Sequence, residues 1–140
     1  YVTGLLKPSI VLLVDDTDSE QATMRKVAKK FNCSLVVAGT VSEALRAFET
    51  KTFDLIFLDY KLPDGDGNEL FRAIRAVSCN VPICIISGEL TIELVNSAQE
   101  IGFAVFMNKA TDMNLKNLTS LFQTFGIKPK MSVVGDSACL

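Results

Sequence analysis

The run LIFLDYKLPDGDG, Leu55 to Gly67, holds an apolar strand, a carboxylate and a turn in that order. Together with Phe53 and Asp54 the apolar part reads FDLIFL. It is too short for a helix and rich in β-branched and aromatic residues, so it is expected to be a buried strand. Asp59 closes it. Pro63, Gly65 and Gly67 then punctuate a turn. NELFRAIRAV follows with helical spacing, placing Leu70, Phe71, Ile74 and Val77 on one face.

The same alternation extends in both directions. Upstream lie SIVLLV (Ser9 to Val14) and LVVA (Leu35 to Ala38); downstream lie VPICII (Val81 to Ile86) and FAVFM (Phe103 to Met107). Helical segments separate and follow these runs, with expected capping boxes at Asp18 to Gln21 and Thr40 to Glu43. Thr91 opens a further helix that Gly102 stops, and Asp112 is expected to cap a last one ending at Gly126. A β-α unit repeated five times implies one α/β domain, a doubly wound five-stranded parallel sheet with helices on both faces. The domain is expected over residues 9–126, with an N-terminal extension at 1–8 and a tail at 127–140.

Composition narrows the function. A chain of 140 residues, 49% apolar, can bury a core of its own. A net charge of −2 and a pI near 5.1 leave no electrostatic footprint for nucleic acid or an anionic membrane. No run is long enough for a membrane span, and Tyr1 to Pro8 lacks the regions of a signal peptide. A first residue other than Met suggests an excised segment. Cys33, Cys79, Cys84 and Cys139 form no CxxC pair, which favours a reducing, cytoplasmic setting. Cys84, inside an apolar run, is expected to pack as a small hydrophobe. Histidine is absent altogether. That excludes Ser-His-Asp and Cys-His catalysis and most zinc sites. Any phosphohistidine donor must therefore be another protein or another domain.

Ligands of an open parallel sheet bind beyond the carboxyl ends of its strands. Four of the five expected ends carry reactive side chains: Asp15 and Asp16, Asp59, Ser87, and Lys109. Taken singly, the acids read equally as turn or cap residues, Ser87 as a turn hydroxyl and Lys109 as a solvated cation. Taken together they describe a site. Two carboxylates about 4 Å apart repel by roughly 4 kcal/mol at an effective dielectric of 20. A hard divalent cation with oxygen ligands relieves this, and Mg²⁺ needs few protein ligands because it retains water. A carboxylate nucleophile, a metal and cationic donors are the requirements of phosphoryl transfer to Asp59.

These motifs resemble those of the response-regulator receiver domains of two-component signalling. LLVDD (Leu12 to Asp16), LIFLDYKLPDGDG, IISGE (Ile85 to Glu89) and MNK (Met107 to Lys109) stand in that family's order. The resemblance implies the flavodoxin-like strand order 2-1-3-4-5, for which a member of this family is a standard example. It implies phosphorylation of Asp59 from a histidine kinase or histidine phosphotransfer protein. Mg²⁺ would be held by Asp16, Asp59 and the Lys61 backbone carbonyl, with Asp15 acting through water. Ser87 and Lys109 would bind phosphoryl oxygens, and Ser87 and Phe106 would form the switch. Lys61 and Glu89 would tune the phosphoryl lifetime. Output would pass through the face of the fourth helix, fifth strand and fifth helix, where Leu90, Ile92, Phe106 and Leu118 are candidate contacts. One departure concerns the loop after the lysine: Ala110 stands where the family carries proline, so a trans Lys109–Ala110 bond is expected.

Two rival readings belong beside this one. A haloacid-dehalogenase-like phosphatase would use Asp16 as nucleophile and Asp18 as general acid, and would need a late acidic motif, sought at Gly135-Asp136. A degenerate receiver would keep the fold and never carry phosphate.

Overall fold

A computed structural model describes residues 7–78 and 80–130. Residues 1–6, 131–140 and Cys79 lie outside the described residues, and with them most of the expected extension and tail, Cys139 and Asp136.

Five strands form one parallel sheet: β1 Ser9–Val14, β2 Cys33–Ala38, β3 Leu55–Asp59, β4 Ile83–Ser87 and β5 Val105–Asn108. Their order is β2-β1-β3-β4-β5, as the resemblance implied. The helices are α1 Asp18–Ala28, α2 Val41–Thr50, α3 Gly67–Val77, α4 Ile92–Ile101 and α5 Leu115–Thr124. Side chains alternate across a strand, and this alternation sorts the core into two halves. Val11, Leu13, Leu55, Phe57, Cys84 and Ile86 meet Met24 and Val27 of α1 and Leu118 and Phe122 of α5. Leu12, Val14, Ile56, Leu58, Ile83 and Ile85 meet residues of α2, α3 and α4 on the other face. Burial pushes the Cys84 thiol pKa well up, and Asp112 adds to the shift, so this cysteine packs as a small hydrophobe.

Helix ends show where local signals held. Thr40, Asp66 and Thr91 accept from the N–H of Glu43, Glu69 and Leu94 respectively. α5 closes in a Schellman motif: Ile127 N–H donates to Phe122 O (2.9 Å) and Gly126 N–H to Gln123 O (3.1 Å), with Gly126 at φ 81°. The chain packs on beyond that point, with Ile127 buried and Pro129 bridged to Phe31.

Four local expectations are corrected. The box at Asp18 to Gln21 does not form: Thr17 is the N-cap and makes no capping bond. Asp112 does not cap α5, which starts after Asn114, whose side chain accepts from Asn117 N–H. Val77 is 76% exposed at the end of α3, where packing passes instead through Arg75, whose guanidinium donates to Val81 O and Phe103 O, both at 2.7 Å. β4 and β5 begin at Ile83 and Val105, two residues later than the apolar runs, which leaves Phe103 75% exposed.

Candidate functional site

The register of the sheet assembles the site. Val14 pairs with Leu58, so the next residues along β1 and β3, Asp15 and Asp59, emerge side by side. Each is then oriented by its own chain: Asp15 Oδ1 accepts from Thr17 N–H (2.7 Å), and Asp59 Oδ1 from Lys61 N–H (3.2 Å). These Asx turns turn the two Oδ2 atoms to a common point. The Lys109 ammonium stands there, 2.9 Å from Asp59 Oδ2 and 3.7 Å from Asp15 Oδ2. Its pKa is raised: burial lowers it, but the Asp59 hydrogen bond and the charges of Asp15, Asp59 and Glu20 outweigh burial.

Asp15 is fully buried, and its Oδ2 has no hydrogen-bond partner. Burial chiefly, and then the Asp59 charge, raise its carboxyl above the usual range, against the pull of the Thr17 N–H and Lys109. One ammonium therefore faces two buried carboxylates and leaves an acceptor unsatisfied, an arrangement that a further cation would complete. Oxygen atoms of Asp15, Asp16 and Asp59 lie within 4.8 Å of one another, and Asp16 is exposed. This hard-oxygen donor set with one side open to water fits Mg²⁺.

The remaining site residues surround one open cavity of about 700 Å³ lined by Asp16, Asp59, Lys61, Ser87, Glu89 and Lys109, among others. Ser87 is buried at the end of β4 and donates to Glu89 O (2.9 Å). Lys61 and Glu89 share the cavity, and among the described residues no ion pair joins them. Phe106 is half-buried on β5, level with Ile85. Of the candidate output contacts, Ile92 is 73% exposed, whereas Leu118 is core and cannot serve.

Ala110 proves compatible with the reach of Lys109. No cis peptide occurs among the described residues, so the Lys109–Ala110 bond is trans. The loop is held by reciprocal bonds: Asn108 N–H to Asp112 Oδ2 (2.8 Å), Asp112 N–H to Asn108 O (2.8 Å), and Ala110 N–H to Asn108 Oδ1 (2.8 Å). That commitment is why Asp112 is not a helix cap. Likewise Thr17 leaves α1 uncapped because its hydroxyl faces Lys109 Nζ at 3.4 Å.

Several contributors escaped sequence reasoning. Glu20 lies 3.8 Å from Lys109, and Gln21 Nε2 donates to Asp15 O (2.8 Å). Helical spacing after Asp16 places both on the first turn of α1, and that spacing was the available signal. Asp64 accepts from Val41 N–H (2.7 Å), Ser42 N–H (3.1 Å) and Ser42 Oγ (3.1 Å). The Val41 bond chiefly holds its carboxyl below the usual range. No local pattern points to partners so far along the chain.

A family model described as "Response regulator receiver domain" matches residues 11–121, most of the chain. The chain belongs to the response-regulator receiver domains. This receiver is 31% identical to the transcriptional regulatory protein PrrA of Mycobacterium bovis over 65% of the chain, and that stretch is 39% of PrrA. It thus spans well under half of that relative. In fold it is similar to Vibrio cholerae chemotaxis protein CheY4, at TM-score 0.76 and 24% identity over 84% of this chain and 98% of that one. It is also similar to the Mn²⁺-bound form of response regulator Rcp1, at TM-score 0.69 and 23% identity over 84% and 91%. Receivers bind Mg²⁺ in an acidic pocket, and this receiver has the acidic cluster. Among its described residues no helix is long and apolar enough to cross a membrane. The phosphatase reading fails on family, and Asp18 stands exposed on α1, outside the carboxylate cluster.

Proposed function

We propose that Asp59 takes a phosphoryl group from the phosphohistidine of a histidine kinase or a histidine phosphotransfer protein. The observation that carries this reading is the convergence of Asp15 Oδ2 and Asp59 Oδ2 on Lys109, with the Asp15 atom buried and unsatisfied. An Asp59 carboxylate oxygen attacks phosphorus, an acyl phosphate forms, and the donor's P–N bond breaks to leave imidazole. Asp15, Asp16, Asp59 and the Lys61 carbonyl would hold Mg²⁺, which supplies charge neutralisation for the transferring phosphoryl oxygens. Lys109, already at Asp59, binds one such oxygen. Ser87 exchanges its bond to Glu89 O for another, and that movement lets Phe106 turn inward. The α4–β5–α5 face, with Ile92 outermost, carries the change to an output partner or attached domain.

Acetyl phosphate or phosphoramidate with Mg²⁺, followed by intact mass, tests the reading. One phosphoryl increment is expected in the natural chain and none in Asp59→Ala. No increment with either donor would make this a receiver that never carries phosphate. Lys61 and Glu89 flank the path of the attacking water in this reading, so replacing both by alanine is expected to shorten the phosphoryl lifetime. An unchanged hydrolysis rate would remove them from that role. Exposed pairs are weak, about 0–1 kcal/mol, so the change should be modest.

A further inference from the structure

The segment after Asp59 is a small two-stranded ribbon in which Lys61 pairs with Asp66 and Leu62 with Gly65, leaving Pro63 and Asp64 at the tip. Its base is closed by Gly67 N–H on Tyr60 O (2.6 Å) and tied to the sheet by Tyr60 N–H on Ile86 O (2.8 Å). Its tip is tied elsewhere, by the Asp64 carboxylate on the first two N–H groups of α2 and the Ser42 hydroxyl. Those N–H groups have no acceptor within their own helix, and a carboxylate at a helix N-terminus is favoured by the helix dipole as well. Lys61 lies between the two anchors.

We infer that Asp64 is a positioning residue for the metal site: it straps the ribbon to the N-terminus of α2 and thereby holds the Lys61 carbonyl where a cation can use it. The inference rests on the proposed function above, because that reading makes the Lys61 carbonyl a ligand. With the tip released, the ribbon keeps its base, the Lys61 N–H bond to Asp59 Oδ1 and the packing of Leu62 on the core, but the carbonyl loses its restraint from the α2 side. Coupling of this kind is reciprocal. A cation on Lys61 must therefore tighten the Asp64 bonds to α2, and the first turn of α2 becomes a reporter of site occupancy on the flank away from the α4–β5–α5 face.

The test is Mg²⁺ titration by calorimetry with amide hydrogen exchange on the full chain, comparing the natural protein with Asp64→Ala, Asp64→Asn and Thr40→Ala. Thr40 caps the same helix by accepting from Glu43 N–H (3.1 Å), a bond that does not involve the ribbon, so it controls for a general loosening of α2. The expected result is roughly tenfold weaker Mg²⁺ binding in Asp64→Ala, a smaller loss in Asp64→Asn, which retains one acceptor oxygen, and no change in Thr40→Ala. Mg²⁺ should slow exchange at Val41 and Ser42 in the natural protein and leave it unaltered in Asp64→Ala. Equal affinity in Asp64→Ala and the natural protein, or equal losses in Asp64→Ala and Thr40→Ala, would overturn the strap alone. A natural protein that binds no Mg²⁺ would overturn the proposed function and the strap with it.

Discussion

Replacing Asp15 by asparagine is expected to stabilise the metal-free receiver and to remove most of its affinity for Mg²⁺. The side chain is fully buried, its Oδ2 has no hydrogen-bond partner, and the nearest cation, Lys109, is hydrogen-bonded to Asp59 instead. An amide of the same shape sheds the charge, keeps Oδ1 as acceptor for Thr17 N–H, and no longer repels Asp59. A gain of about 1–3 kcal/mol is expected from relief of a buried charge that Lys109, shared with Asp59, compensates only in part. Linkage fixes the sign with pH. Because burial raises the folded pKa of Asp15 above its ordinary 3.8, its protonated form stabilises the fold below that value. That contribution is lost as pH rises through the folded pKa. The stability advantage of Asp15→Asn over the metal-free natural protein should therefore grow as pH rises through this window. Urea denaturation in EDTA from about pH 4 to about pH 7 measures both. With saturating Mg²⁺ the variant's advantage should shrink by about 1.4–2.7 kcal/mol, since it binds about 10–100-fold more weakly. An Asp15→Asn protein that is less stable in EDTA near neutral pH, or that binds Mg²⁺ unchanged, contradicts this account.

Gly67→Ala is expected to damage fold and site together. A Cβ there would stand 2.8 Å from Tyr60 Cα and 3.1 Å from the Asp59 carbonyl oxygen, both backbone atoms of the acceptor segment. Backbone cannot swing aside as a side-chain tip can, so α3 or the end of β3 must shift. Overpacking of this kind costs about 1–3 kcal/mol. Because the displaced backbone carries Asp59, phosphorylation should slow by about 10²-fold if the shift approaches 1 Å. Two other glycines grade the argument. At Gly65 a Cβ meets Val41 Cγ2 at 3.1 Å and Glu69 Oε2 at 3.2 Å, side-chain atoms able to yield, so Gly65→Ala should cost less. At Gly88 nothing lies within 4 Å, so Gly88→Ala should be close to neutral. Urea midpoints and acetyl phosphate labelling rates across the three variants test the ranking. A Gly67→Ala protein no worse than Gly88→Ala would refute the close approach.

The two misread helix caps share a cause. Thr17 takes the N-cap position expected of Asp18, and Asp112 was itself the expected cap of α5, yet each spends its side chain on the site: Thr17 on Lys109, Asp112 on the N–H of Asn108 across the Lys109 loop. Capping is worth about 0.5–2 kcal/mol, a sum that tertiary hydrogen bonds can outbid. Leu118 was misplaced for a different reason. Helical periodicity says which residues share a face, and only the neighbouring β-sheet says whether that face points to the core.

What the amino-acid order decided by itself was the alternation of strand and helix, the parallel sheet, and the arrival of Asp15, Asp16, Asp59, Ser87 and Lys109 at one edge of it. Those follow from short-range periodicity and from the rule that parallel strands all end on the same side. What only the tertiary structure decided was direction: that Oδ2 of Asp15 and of Asp59 both face Lys109, that Ser87 faces Glu89, and that Asp64 reaches α2. The turns that aim Asp15, Asp59 and Ser87 are local, but the groups the acids meet are not: Lys109 lies 50 residues from Asp59 and Val41 lies 23 from Asp64, and no local pattern encodes a distance that exists only after the sheet has closed its register.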